Sequence, residues 1–166
     1  LIVHPFDALY DSNSRILILG SFPSVRSREA NFYYGHPRNR FWAVMSTLLG
    51  EDLPRDVPQK KEMLLKHGIA LFDVIRSCDI TGSSDSSIKN VAVNDLSPIL
   101  SASQIGERIF VNGRKAEELY MKYSYKVTGV PCSCLPSTSP ANAAFSTEKL
   151  VREWGRILHS KVDYFL

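Results

Sequence analysis

Apolar residues concentrate in four short runs, separated by longer stretches with helical periodicity. The first run, Ile16-Leu17-Ile18-Leu19, does not alternate and stops at Gly20. A strand buried on both faces reads this way, whereas a strand with one wet face alternates. Ile69–Val74, Arg108–Val111 and Cys132–Leu135 predict three further strands. Between them, Phe41, Met45, Leu48 and Leu49 share a face and predict a helix from Arg40 to Leu49, ended by Gly50. Pro54 and Pro58 frame a loop, and a helix from Gln59 to Lys66 leads through Gly68 into the second strand. A short helix is expected over Asn94–Ser101, and another from Arg114 to Tyr123. Leu150, Val151, Trp154 and Leu158 at helical spacing predict a last helix from Thr147 to Leu158. Val162–Phe165 reads as a closing strand, Ser21–Arg38 as a long loop, and Thr81–Ser87 as a polar loop.

Strands that alternate with helices favour parallel crossovers. The expected architecture is α/β: a single three-layer α/β/α domain over residues 1–166, with a central, mainly parallel sheet of about four strands. In such sheets the functional loops sit at the carboxyl ends of the strands. Two loops there are rich in polar and aromatic groups, Gly20–Asn39 and Pro136–Asn142.

Composition narrows the setting. With 44% hydrophobic and 22% charged residues in 166, the chain can bury a full core and is neither disordered nor fibrous. No stretch approaches the roughly 20 apolar residues of a membrane span, so no membrane partner is expected. The net charge of +3 permits a polyanionic partner. Three cysteines, Cys78, Cys132 and Cys134, cannot all pair within the chain. Cys132 and Cys134 read as two buried strand residues on one face. A reducing, intracellular location follows, cytoplasmic and nucleoid-associated in a prokaryote. No long exposed apolar stripe argues for a dimer, so a monomer is expected.

Local chemistry then adds detail. Arg15, Arg26, Arg28, Arg38 and Arg40 stand against the single acid Glu29 between positions 15 and 40, interleaved with Phe32-Tyr33-Tyr34. Arginines neutralise phosphates and aromatic faces stack on exposed bases, although a solvated basic face over core aromatics has the same composition. Asn39 precedes a helix, where Asn is a favoured cap; an amide there could equally hold a water or a carbonyl. Ser137, Thr138, Ser139 and Asn142 suit a phosphate, or an ordinary capped turn. Asp73 and Asp85 are the candidate acids, with Asp73 also readable as a buried group closing its strand. His4, His36, His67 and His159 show no ligand spacing, and no metal or nucleotide-phosphate motif occurs, so no metal and no cofactor are expected.

These pieces together resemble the uracil-DNA glycosylase superfamily. Gly20-Ser21-Phe22-Pro23-Ser24 resembles that superfamily's first motif, in which Gly and any residue precede an Asn or Asp and then Pro. Phe32-Tyr33-Tyr34-Gly35-His36-Pro37-Arg38-Asn39-Arg40-Phe41-Trp42 resembles a segment of the mismatch-specific uracil and thymine glycosylases. Leu135-Pro136-Ser137-Thr138-Ser139-Pro140 loosely resembles the second motif. Phe22 stands where the superfamily usually carries its catalytic Asn or Asp, while Asn39 is kept. That combination resembles the hypoxanthine-DNA glycosylase family (family 6), as do His4-Pro5-Phe6 and Ser27-Arg28-Glu29.

The resemblance implies an enzyme of base excision repair that hydrolyses the N-glycosidic bond of a deaminated base, hypoxanthine first, in double-stranded DNA. It implies Asn39 as the catalytic residue, holding a water near the anomeric carbon. It implies Gly20, Ser21, Phe22, Tyr34 and Asn112 around the base, with Tyr34 stacking on it and backbone N–H groups near Ser21 and Phe22 stabilising the leaving base. It implies Ser137, Ser139, Ala141, Asn142 and Arg38 against the DNA. No lysine takes the part of a Schiff-base nucleophile, so a monofunctional glycosylase is expected. Three alternatives stay open: a uracil glycosylase of the mismatch-specific type, a catalytically inactive lesion-binding module, and a generic nucleotide-binding domain.

Overall fold

Burial on both faces of one strand organises the molecule. The structure is a computed structural model that describes residues 1–159. After a two-residue strand β1 (Ile2–Val3) comes the central strand β2 (Ile16–Gly20), buried at all five positions. Ile16 and Ile18 join one apolar cluster, while Leu17 and Leu19 join a second on the opposite face. Two helical layers therefore sandwich the sheet, as the unbroken apolar run predicts.

The chain then runs through α1 (Val25–Ala30), α2 (Phe41–Leu49), α3 (Val57–Lys66), β3 (Ile69–Asp73), β4 (Ile75–Asp79) and β5 (Lys89–Val93). It continues with α4 (Ser97–Ala102), β6 (Ile109–Asn112), α5 (Arg114–Leu119), α6 (Tyr125–Thr128), β7 (Ser133–Leu135) and α7 (Thr147–Trp154). The main sheet has the order β3-β2-β6-β7 and is parallel throughout. Phe41, Leu64 and Trp154 carry α2, α3 and α7 onto one face; Ile99, Ala116 and Leu119 carry α4 and α5 onto the other. The register places Gly20 opposite Asp73, and Asn112 opposite Leu135, so the carboxyl ends of the strands are level.

The four predicted strands and the α/β/α layering stand, with a second sheet added. β1, β4 and β5 pair antiparallel in the order β1-β4-β5, and the β4–β5 register shifts twice. Val74 and Ile75 donate to the carbonyls of Gly20 and Ser21, so this sheet grows directly from the end of the main one.

Several local expectations need correction. The 21–38 segment contains α1, capped by Ser24, whose hydroxyl accepts from the Ser27 N–H, and ended by Asn31 in the left-handed conformation. Pro58 lies inside the first turn of α3, after the Asp56 cap, instead of in the preceding loop. The helix expected from Arg114 to Tyr123 runs further in three pieces: α5 ends at Leu119, a wider turn follows at Tyr120–Ser124, and α6 carries the chain to Thr128. The polar loop holds a 3₁₀ turn at Asp85–Ser87, and α7 ends in another at Gly155–Leu158. Cys132 precedes β7, and both it and Cys134 are only half-buried. Burial pushes the Cys132 thiol up to about 11. The strand expected at Val162–Phe165 lies outside the described residues. Among the described residues no helix is long and apolar enough to cross a membrane.

Candidate active site

At the level ends of β2, β3 and β6 the two polar loops, with a third segment at Ser83–Ser86 that brings in the candidate acid Asp85, enclose a pocket of about 550 Å³. Its floor exists because Gly20 has no side chain. A Cβ there would stand 2.5 Å from Asp73 Oδ1 and 3.2 Å from the Tyr34 hydroxyl. Carboxylate and phenol thus converge over a bare backbone.

Asp73 is 4% exposed. Its Oδ2 lies 2.7 Å from His4 Nε2, a residue brought from the start of the chain. The imidazole is boxed edge-on by Phe6, Phe22 and Phe72. Among the described residues no group donates to Asp73 Oδ1, which opens onto the pocket. Tyr34 adopts φ +53°, a conformation that a bulky residue holds only when its surroundings impose it. One face of its ring stacks on Phe41, with centroids 4.1 Å apart at 21°. Among the described residues its buried hydroxyl makes no hydrogen bond of good geometry, and the Asn112 side chain lies beside it. Burial, reinforced by the Asp73 charge, pushes the phenol above its ordinary range, so it stays a neutral O–H.

Asn39 stands at the pocket wall and does two jobs. Its Oδ1 accepts from the Phe41 N–H at 2.9 Å, supplying the first turn of α2 with an acceptor. The same oxygen accepts from the Thr138 hydroxyl at 2.8 Å. Thr138 is fully buried; its N–H donates to Asn112 Oδ1 at 3.1 Å and its Oγ1 accepts from Asn112 Nδ2 at 3.0 Å. Two backbone N–H groups, which can only donate, fix the orientation of both amides. The direction of each hydrogen bond in the Asn112–Thr138–Asn39 relay is thereby assigned. Both lone pairs of the Asn39 carbonyl are committed, and the group it leaves free toward the pocket is the Nδ2 donor.

Arg40 locks the second loop. Its guanidinium donates to the carbonyls of Ser139 and Asn142, each at 3.0 Å, and to that of Phe145. The Arg40 N–H also donates to the Thr138 carbonyl at 3.0 Å. Ser137 Oγ accepts from the Ser139 N–H and Ser139 Oγ from the Ala141 N–H, which leaves both hydroxyl protons available outward.

With the candidate acids Asp73 and Asp85, nine residues that the resemblance implies meet at the pocket: Gly20, Ser21, Phe22, Tyr34, Asn39, Asn112, Ser137, Ser139 and Ala141. Two do not. Asn142 turns its Nδ2 back to the Ser137 carbonyl at 2.9 Å and braces the loop. Arg38 is exposed on the surface, between pocket residues His36 and Asn39. The sequence also undervalued three residues. Thr138 reads there only as one of the loop groups that suit a phosphate, His4 only as the neighbour of Pro5-Phe6, and Arg40 only as one member of the basic run. Among the described residues no group of three or more His, Cys, Asp or Glu side chains is placed to hold a metal.

Comparison with known proteins supplies independent context. The family model described as the uracil DNA glycosylase superfamily matches residues 8–158. A protein of Methanosarcina acetivorans named hypoxanthine DNA glycosylase is 38% identical over 155 residues, which is 93% of this chain and 96% of that one. A Methanosarcina barkeri protein of the same name is 33% identical over 138 residues, 82% of this chain and 86% of that one. A solution NMR structure described as a candidate uracil DNA glycosylase from Methanosarcina acetivorans superposes with a TM-score of 0.72 at 35% identity. The match covers 95% of this chain and all of that one.

Proposed function

The chain belongs to the uracil DNA glycosylase superfamily, and on that footing we propose that it is a monofunctional DNA glycosylase that removes hypoxanthine from double-stranded DNA. The target nucleotide leaves the stack and enters the pocket, at least cost where it is mispaired. Cleavage of the N-glycosidic bond develops positive charge on the sugar and negative charge on the leaving base. Ordinary glycosidases meet the first with carboxylates. Here the DNA phosphates supply much of that field.

The observation that carries this reading is the fixed polarity of Asn39 at the pocket wall. A carbonyl with both lone pairs occupied cannot orient a water through its protons. An N–H donor held rigid in a dry site is worth most where negative charge grows, on a ring nitrogen of the departing purine. Asn39 is therefore read as the leaving-group donor, which shifts its role from the water-holding one expected from sequence. Backbone N–H groups near Ser21 and Phe22 act in the same sense. Stacking on the base is assigned to Phe22, which lines the pocket wall with Arg28 over its ring, while Tyr34 has one face on Phe41 and turns its hydroxyl to the floor. The free hydroxyl protons of Ser137 and Ser139 bind phosphates, and exposed Ala141 stands at the loop tip for insertion into the duplex. The enzyme works as a monomer without a metal.

The test uses matched duplexes carrying one hypoxanthine or one uracil, incubated with the protein in EDTA and then treated with alkali. Strand cleavage at hypoxanthine is expected, falling by about 10²–10³-fold in Asn39→Ala, the range for losing one fixed donor. Cleavage at uracil alone would move the protein to the mismatch-specific type. Tight binding without any cleavage would make it a lesion-binding module.

A further inference from the structure

At the pocket floor an acceptor and a donor converge on one point, and among the described residues neither is paired on that side. Asp73 Oδ1 is acceptor-only, and its orientation is fixed because Oδ2 is held by His4 at 2.7 Å. The Tyr34 hydroxyl is buried and, among the described residues, makes no hydrogen bond of good geometry, with the Asn112 side chain beside it. Both flank one point above Gly20, at 2.5 Å and 3.2 Å. A buried hydroxyl left unpaired is costly, and a native protein retains one only where something else satisfies it.

We infer that Asp73 and Tyr34 together read the N–H–C=O edge that deamination creates on a base. In adenine this edge offers a ring-nitrogen acceptor beside an amino donor. Deamination replaces the amino group with a carbonyl and moves a proton onto the ring nitrogen, so donor and acceptor exchange places. Hypoxanthine then gives N1–H to Asp73 Oδ1 and takes the Tyr34 O–H at O6. Adenine meets the same floor with acceptor against carboxylate and donor against hydroxyl. The inference rests on the glycosylase reading above and extends it from one base to a chemical class. Uracil and xanthine carry the same edge, so the shape of the pocket, not its floor, separates purines from pyrimidines. Guanine carries the edge too; its stable pairing raises the cost of bringing it to the floor. His4 is a positioning residue in this scheme, since it touches the base only through Asp73.

The experiment compares kcat/KM for hypoxanthine with that for unsubstituted purine, which lacks both N1–H and O6. A ratio within one protein is independent of the fraction correctly folded. For the wild type the ratio is expected to exceed about 100, since sites built to hydrogen-bond a substrate group strongly reject analogues without it. Asp73→Asn is expected to lower the ratio by about ten- to a hundredfold, and Tyr34→Phe by about tenfold. Tyr34→Phe removes only an unpaired hydroxyl, so its melting temperature should equal or exceed that of the wild type. Its fold is thus secure where that of Asp73→Asn is less so. In the wild type, 1-methylhypoxanthine, which has no N1–H, should be excised no better than purine. Unchanged ratios in both variants, or efficient excision of 1-methylhypoxanthine, overturn the inference and leave the glycosylase reading intact. A wild type that excises none of these bases overturns the glycosylase reading, and this inference falls with it.

Discussion

A buried threonine decides what the pocket asparagine can do. Thr138 receives one hydrogen bond from Asn112 and passes its own proton to Asn39. Thr138→Val keeps the shape but strands an amide on each side. It should lower kcat by about ten- to a hundredfold with KM for DNA little changed, and cost about 1–3 kcal/mol in urea denaturation. Thr138→Ser, which keeps the hydroxyl, should restore most of the rate, an outcome a purely structural threonine would not give. Asn39→Asp separates the two roles open to Asn39. A carboxylate still accepts from Phe41 and Thr138, so the helix start survives, but it has no N–H left to donate. A loss as large as that of Asn39→Ala supports the donor role; retained or raised activity would return Asn39 to handling water. Asn39, Gly20 and Phe22 were legible in the sequence because each sits in a compact string with its own motif. Thr138 and His4 were not. Their partners lie 99 and 69 positions away, and pairing across such distances is set by tertiary packing that leaves no local pattern.

At the scale of elements, what could be read was whatever buries a continuous apolar face. β2, β3, β6 and the helices α2, α3 and α7 follow from runs and periodicities that only one arrangement buries. The β1-β4-β5 sheet escaped because β1 has two residues and β4 mixes Arg76, Ser77 and Asp79 with its apolar positions. Its two register shifts also break the alternation a strand reading needs. α1 escaped because six residues rich in Arg and Ser carry no apolar stripe; Ser24 and Ser27 hold it through hydrogen bonds instead. Arg40 shows the converse, a residue whose type suggested phosphate but whose position at the start of α2 sends it inward. Its guanidinium gathers carbonyls of 139, 142 and 145 and so shapes the loop that carries Ser137 and Ser139. Arg40→Ala should cost about 2–3 kcal/mol in chemical denaturation, because several carbonyls lose a charged donor at once. Single-turnover excision should fall as well. Arg40→Lys should recover little of either, since an ammonium cannot reproduce the planar fork.

Across the whole molecule, the basic run between positions 15 and 40 divides into internal and external charges. Arg15 lies at the opposite end of β2 from the pocket, and Arg28 donates to the Gly82 carbonyl at 2.7 Å while lying over Phe22. Arg40 is committed to its loop. Arg26 and Arg38 remain exposed, and Arg38 adjoins the mouth. With a net charge of only +3, nonspecific attraction to DNA rests on few such groups, so the loss of one is measurable. Each phosphate contact contributes nearly one unit to the slope of log affinity against log salt. Arg38→Ala should therefore weaken binding to damaged and undamaged duplexes by the same factor and reduce that slope by about one. Excision at saturating protein should stay at the wild-type rate, because Arg38 touches no group of the pocket floor or of the Asn39 relay. A weakened affinity confined to damaged duplex, or a slower saturated rate, would instead put Arg38 at the flipped nucleotide, inside the site that the described structure builds without it.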